Sequence, residues 1–480
     1  MNTGGVGNAS GDLKTMELSN GASPDNRVDA SGLAVRSALS ALLFGLAILV
    51  GLRGDPALAG KVVQADYSAF EGLTIIRIEI SGNQHTKEVI IRRELLTEAG
   101  DSLNLATMQS DLVRLTKLPT FSAVQIVPRR EGDGVVYAVT VDETARFIPT
   151  ILPGNSEENG WYAGPIISTP NWLGRAITAS VSAQWGGITK YSFSATSPWL
   201  LPARHQLSVS VGQFYQERED KVRESQEITS SSSIRAVFYP GRRRILSIGL
   251  GFQYLRTMSS KPGITLSPTN HDHLYRPELL LRINSIEDPL DPRCGWVGGF
   301  QERTTGGLLG GDGDTWRTQV DIARYQPITE RSVLAVGAVF DHQTGVVDED
   351  IPGYLVYLLG GGSSVRGYSR TELGKVLYGK NQFLATAEYG YCILSPRQFM
   401  LFGKSFLSFR AGLNIVGFID YGVAWTDAED LNMDRSRTGF GIGLHAMVPG
   451  IERIRLDLGI SQDGELEIHI GTRSKLDAQR

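Results

Sequence analysis

Between residues 177 and 470 apolar and polar side chains alternate with a period of two. Ile177, Ala179, Val181, Ala183 and Trp185 alternate with Thr178, Ser180, Ser182 and Gln184. Leu246, Ile248, Leu250, Phe252 and Tyr254 do so against Ser247, Gly249, Gly251 and Gln253. The rhythm returns at Leu334 to Phe340, at Phe440 to Leu444, at Ile454 to Ile460 and at Leu466 to Ile470. Period two puts one apolar and one polar face on each strand, and no segment after about residue 151 carries a helical period. Runs of about 9–11 residues match a tilted strand crossing hydrocarbon. A polar face rich in Gly, Ser and charge suits a filled lumen, and Trp161, Tyr162, Trp172, Trp199, Tyr239 and Tyr368 near strand ends suit interfacial girdles. A soluble sandwich gives the same alternation but is unusual at this length. The segments Gln216 to Ser233, Gly306 to Asp314 and Asp341 to Asp350 read as loops.

Ahead of this region the pattern predicts a β-α-α-β-β unit. A short apolar strand over Ile75 to Ile80 ends at Ser81-Gly82-Asn83. Thr86 is placed as the cap of a helix carrying Val89, Ile90, Leu95 and Leu96. Gly100-Asp101 breaks it. Leu105, Met108, Leu112 and Leu115 form the stripe of a second helix, stopped by Pro119. Phe121 to Val127 alternates as a strand, Gly132-Asp133-Gly134 turns, and Val135 to Val141 returns.

Composition narrows the function classes. A net charge of −4 over 480 residues argues against a nucleic-acid partner. A mean hydropathy of −0.10 is too low for a helical membrane protein but not for a membrane barrel. Two cysteines and seven scattered histidines give no metal-ligand spacing; Cys294 and Cys392 are either a pair or two lone thiols. There is no G-x-S-x-G elbow and no Ser-His-Asp arrangement, so neither catalytic residues nor a cofactor are expected. At the N-terminus an uncharged run from Ser37 to Leu52, then Ala57-Leu58-Ala59, reads as a signal peptide or leader over residues 1–59, with a single membrane anchor as the alternative. Met16 is an alternative start. A short segment, residues 60–72, follows.

Two motifs carry the most chemistry. SSVRGYSR sets Val365, Arg366, Gly367 and Tyr368 in a Gly- and Ser-rich loop after Gly360-Gly361-Gly362. FIDYG sets Phe418, Asp420 and Gly422 on one face of a strand. An isolated Arg of this kind is ordinarily solvated. With these motifs in this order, after IEISGNQHT, GDSLNLATMQSDLVRL and LPTFSAVQIVP, and with STPNWLGRAITASVSAQWGG, FSATSPWLL and SIEDPLDPRCGW between, the chain resembles the BamA/TamA-type family of outer-membrane assembly barrels. The resemblance implies an N-terminal α+β POTRA domain (residues 73–146), a transmembrane antiparallel β-barrel of sixteen strands (residues 150–473) and a polar tail (residues 474–480). It also implies that the loop folds into the lumen and that Arg366 binds Asp420. A planar guanidinium fork suits a carboxylate, and a guanidinium inside a barrel is costly without a partner. Glu388 in ATAEYG resembles a family strand position, or is simply an inward polar residue. The family often ends on an aromatic residue; here the last strand ends near Gly471-Thr472.

The expected function is therefore assembly or translocation of polypeptides at the outer membrane. The POTRA would take unfolded outer-membrane or secreted polypeptides by strand addition at the edge over Phe121 to Val127. The lipid bilayer, periplasmic chaperones and accessory lipoproteins are the other expected partners. The alternative is a passive pore or surface antigen on the same fold.

Overall fold

The computed structural model describes residues 67–480, apart from 117, 157, 201–205, 242–243, 287–290, 371–376, 401–407, 428–429, 432–434, 449–450, 472–475 and 477–480. The leader over residues 1–59, and most of the segment 60–72, lie outside the described residues.

The N-terminal unit has the expected order. Strand β1 (Ile75–Ser81) leads to helix α1 (Glu88–Glu94) and helix α2 (Leu105–Thr116), then to β2 (Phe121–Glu131) and β3 (Gly134–Glu143). The sheet order is β1-β3-β2, with β3 parallel to β1 and antiparallel to β2. Central β3 brings Val135, Tyr137, Val139 and Val141 onto Ile90, Ile91, Leu103, Leu115 and Phe121. Asp111 is buried there, accepting from the Leu96 and Thr97 N–H groups and from the Tyr137 hydroxyl at 3.0 Å. Burial raises the Tyr137 pKa, which keeps that hydroxyl a donor.

Thr86 does not cap α1. Lys87 holds the cap position without a side-chain bond. The Thr86 hydroxyl instead donates to Glu143 at 2.5 Å, so a carboxylate at the end of β3 ties down the chain entering the helix. The helix also stops at Glu94, leaving Leu95 as its extended C-cap.

The rest of the chain is one antiparallel sheet of 16 strands in sequence order. It begins with β4 (Ile148–Ser156), β5 (Gly160–Trp172), β6 (Ile177–Gly186), β7 (Thr189–Ser197), β8 (Gln206–Asp220), β9 (Ser225–Tyr239), β10 (Leu246–Ser259) and β11 (His271–Asn284). It continues through β12 (Gly295–Thr305), β13 (Thr315–Thr329) and β14 (Ser332–Gln343). A two-stranded insert, β15 (Tyr357–Leu359) with β16 (Leu377–Gly379), interrupts the hairpin rhythm. The sheet resumes with β17 (Asn381–Met400), β18 (Ser408–Trp425), β19 (Ser436–Val448), β20 (Ile451–Ser461) and β21 (Leu466–Gly471).

The pleat is inverted relative to a soluble protein. Leu250 is 64% exposed and Ile442 58%, whereas Asp272, Asp341, Asp420 and Asp457 are at most 1% exposed. An apolar outer face and a polar inner face are those of a barrel wall in lipid; a sandwich would bury the first set. The sheet curls until β4 and β21 approach within 8 Å, Cα to Cα, without a ladder between them among the described residues.

Several expectations need correction. Strands exceed 9–11 residues, reaching 20 in β17. Most of Gln216 to Ser233 is strand, because β8 and β9 pair as far as Asp220 and Ser225 around a four-residue turn. Of the two alternatives left open for the cysteines, the structure has the lone thiols, Cys294 exposed and Cys392 buried. Trp199 is no girdle residue: its indole donates to Glu94 of the N-terminal unit at 3.1 Å. Nor is Tyr368, which lies inside the sheet. In the polar tail Leu476 is buried against Ala323, Tyr325 and Ala335.

Candidate functional site

Within the connection between β14 and β17, the segment from Leu359 to Tyr368 turns inward rather than outward. Its apolar residues Leu359, Val365 and Tyr368 pack on Val339 of β14, Leu384 of β17 and Ala424 of β18. Burial of these side chains favours the inward path, but it also carries Arg366 away from water, to 0% exposure. That charge must be met.

Asp420 meets it most closely. Nε and Nη2 of Arg366 donate to the two carboxylate oxygens at 2.8 and 2.9 Å, and the Arg366 backbone N–H adds a third bond at 3.1 Å. The two-point fork fixes orientation as well as charge. Nη1 reaches Glu388 at 2.8 Å and Asp457 at 3.3 Å. The guanidinium carbon lies 3.5 Å from the centre of the Phe418 ring, a cation–π contact. Phe418, Asp420 and Gly422 therefore share the inward face of β18 and all three serve the loop.

Backbone shape completes the seat. Gly367 has φ of 94°, a conformation L side chains rarely adopt, and a Cβ there would lie 2.6 Å from the Ile460 carbonyl carbon. A Cβ on Gly422 would sit 2.6 Å from Val365 Cγ2. Gly439 and Gly459 are equally tight against the Arg366 and Gly367 backbone. A wall smoothed by glycine lets the loop lie flat on it.

Four further residues hold the loop that the motifs did not indicate. Asp457 pairs with His445 Nε2 and with Arg455 Nη1, each at 2.8 Å. Arg455 donates on to the Gly362 carbonyl at 3.2 Å. His469 Nε2 accepts from the Gly367 N–H at 3.0 Å, which requires an unprotonated Nε2. Their sequence signal is present but weak: each is the charged or imidazole member of an otherwise apolar alternation. The loop is thus tied to β17, β18, β20 and the terminal strand β21. The Tyr368 hydroxyl adds β19 by donating to the Thr438 carbonyl at 3.2 Å.

A second set of contacts fixes the N-terminal unit to the rim of short turns. Glu94, fully buried, accepts from Arg244 at 2.6 Å and from the Trp199 indole, and pairs with Arg114 at 3.2 Å. Asn171 donates to the Thr86 hydroxyl at 2.8 Å, and the Lys87 N–H donates to the Gly174 carbonyl at 2.9 Å. Strand β2 is an edge of its three-stranded sheet, as is β1. Among the described residues no cluster of His, Cys, Asp or Glu suits a metal ion.

Residues 171–473 match the Omp85 superfamily domain, and residues 73–144 match the surface antigen variable number repeat, a POTRA domain. The chain belongs to the Omp85 superfamily. It is 23% identical over 387 residues to the outer membrane protein assembly factor BamA of Nitratidesulfovibrio vulgaris, and 23% over 325 residues to that of Neorickettsia risticii. These alignments take in 75% and 65% of this chain but only 45% and 44% of the relatives, so the chain spans less than half of their length. Among solved structures, BamA from Haemophilus ducreyi lacking POTRA domains 1–3 superposes with a TM-score of 0.58 at 16% identity, covering 83% of each chain. CdiB from Escherichia coli gives 0.57 at 14% identity, over 84% of this chain and 75% of that one. At such identities the likeness is one of fold: a POTRA followed by a large antiparallel sheet.

Proposed function

We propose that this Omp85 chain assembles or translocates polypeptides at an outer membrane, its barrel in the bilayer and its POTRA in the periplasm. The observation that carries the reading is the seated loop. A passive pore gains nothing from filling its lumen with a connection held by three carboxylates, two imidazoles and a row of glycines. A barrel that must stay sealed while handling a polypeptide gains a plug and a rigid wall on β17 to β21.

The unladdered approach of β4 to β21 supports a lateral route, since unpaired strand edges are where a client strand can add. Strand β2 offers a second free edge, on the POTRA, for an extended segment of an unfolded client. Periplasmic chaperones delivering that client, and lipoproteins bracing the POTRA, belong to the same reading. No nucleotide site is needed where the client's own folding supplies the free energy. The roles follow by position: Arg366 and Asp420 hold the loop, with Val365, Tyr368, Phe418 and Gly422 shaping its seat and Gly367 its turn.

Depletion of the protein followed by quantitative proteomics tests the function. Loss of other outer-membrane barrels, or of a secreted client, is expected. Unchanged membrane and secreted proteomes, together with a large steady conductance of the purified protein, would identify a pore instead.

A further inference from the structure

We propose that the infolded insert also latches the seam between β4 and β21 at the rim opposite the POTRA, with Arg370 of the insert and Glu158 of the β4–β5 turn as the pair that crosses it. This rests on the reading of that seam as the client's route.

On one side the insert is fastened to the last strands. The Gly367 N–H donates to His469 of β21 at 3.0 Å, and the Tyr368 hydroxyl accepts from the Gln462 N–H of the β20–β21 turn at 3.2 Å. A little further along the chain, Arg370 Nε stands 3.2 Å from Glu158 Oε1. The segment from Gly367 to Arg370 thus reaches both sides of a seam that carries no ladder among the described residues. Glu158 is 5% exposed, so its charge is costly unless answered. The nearby arginines of β8 and its turn are committed elsewhere, Arg218 to Glu227 at 3.0 Å and Arg223 to Asp220 at 2.5 Å.

Geometry separates holding from release. Arg366 is shut away from water among three carboxylates, whereas the Arg370 side chain is 33% exposed, so water can take up its guanidinium when the pair parts. The flanks stay in place. Asn159 exchanges two hydrogen bonds with the Glu219 main chain of β8, at 2.9 and 3.0 Å, and Arg223 Nη2 donates to the Gly353 carbonyl ahead of β15 at 2.6 Å. Parting of Arg370 from Glu158 therefore loosens the edge of β4 against β21 without freeing the insert or the N-terminal half of the wall.

The test measures the seam directly in the purified full chain in detergent. Nitroxides are attached at Asn155→Cys, beside the β4–β5 turn, and at Asp463→Cys, in the β20–β21 turn, in a background of Cys294→Ser and Cys392→Ala. Their distance distribution is read by pulsed electron spin resonance. The latched chain is expected to give one narrow distribution. Arg370→Gln strands the Glu158 carboxylate and should raise the population at longer distance roughly fivefold or more. Glu158→Gln keeps the shape but removes the pair, so it should move the same way by less, and it carries the test if Arg370→Gln does not fold. Arg370→Lys keeps a cation and should stay near the wild type. Lys261→Gln breaks a pair on the same rim that does not cross the seam, Lys261 to Glu224 at 3.7 Å, and should change nothing. Unmoved distances in both Arg370→Gln and Glu158→Gln, or an equal shift in Lys261→Gln, would overturn the latch. Depletion proteomics reports separately on the route: if the distances shift as expected while other barrels and secreted proteins keep their levels, the latch stands and the function assigned to the seam falls.

Discussion

At the scale of single residues the outcome turns on how many partners each charge has. Arg366→Ala leaves the buried Glu388 and Asp420 without their guanidinium, while Asp457 keeps Arg455 and His445, and breaking one side of such a cluster costs about 3–5 kcal/mol. The expected result is a loop that leaves its seat, seen as protease cleavage near residue 366 and failure to complement a depleted strain. A charge swap of Arg366→Asp with Asp420→Arg would restore an isolated pair. It is not expected to restore this one, because the carboxylate introduced on the loop would meet Glu388 and Asp457; recovery in the complementation assay would show that those two residues are bystanders. Glu143 makes a different kind of prediction. Burial alone would raise its carboxyl pKa, but the Thr86 hydroxyl and the Thr86 and His85 N–H groups outweigh that and hold it below the usual carboxylate range. Its contribution to POTRA stability is thus complete above the unfolded-chain value near about 4.3 and fades as pH falls through the lower folded value. Hydrogen exchange at the start of α1 should speed up across that acidic window, and Glu143→Gln should flatten the dependence.

At the scale of elements, period two locates β6, β10, β14, β19, β20 and β21 because alternation is imposed directly by the pleat. It does not locate the turn inside Gln216 to Ser233. That stretch is a polar strand pair running beyond the apolar band, where no hydrocarbon demands apolar neighbours. Thr86 eludes the sequence for a related reason: a capping hydroxyl and a hydroxyl recruited by a distant carboxylate look alike until β3 delivers Glu143. Inward direction is readable for Asp420 through its alternation with Phe418 and Gly422. The seat is not, since Gly439 and Gly459 are ordinary strand glycines until a loop lies on them. Gly459→Val should therefore unseat the loop as effectively as Arg366→Ala while leaving every charge in place. In planar bilayers both variants should convert small, erratic openings into larger, steadier ones; wild-type conductance in Gly459→Val would show that the wall yields.

For the whole molecule, the joint between POTRA and barrel is invisible in the sequence. Glu94 lies in a helix that reads as part of a small soluble unit, and its partners Trp199 and Arg244 lie 105 and 150 residues downstream. Glu94→Ala strands two guanidiniums at that joint, and a loss of about 2–4 kcal/mol is expected once partial exposure of Arg244 is allowed for. Limited proteolysis between residues 143 and 148 should quicken if the POTRA swings free; an unchanged rate would show that the Asn171 and Gly174 contacts suffice alone.

The distance along the chain between Arg366 and its holders has one more effect. Asp420, Asp457 and His469 are all synthesised after it, the last 103 positions later. A product cut short by a nonsense codon before β20 would keep the insert and most of the wall, yet leave the guanidinium without Asp457 and the Gly367 N–H without His469. The insert is thus seated fully only once β20 and β21 are in place, and a chain truncated before β20 is expected to be cut at the insert more readily than the full chain in limited proteolysis.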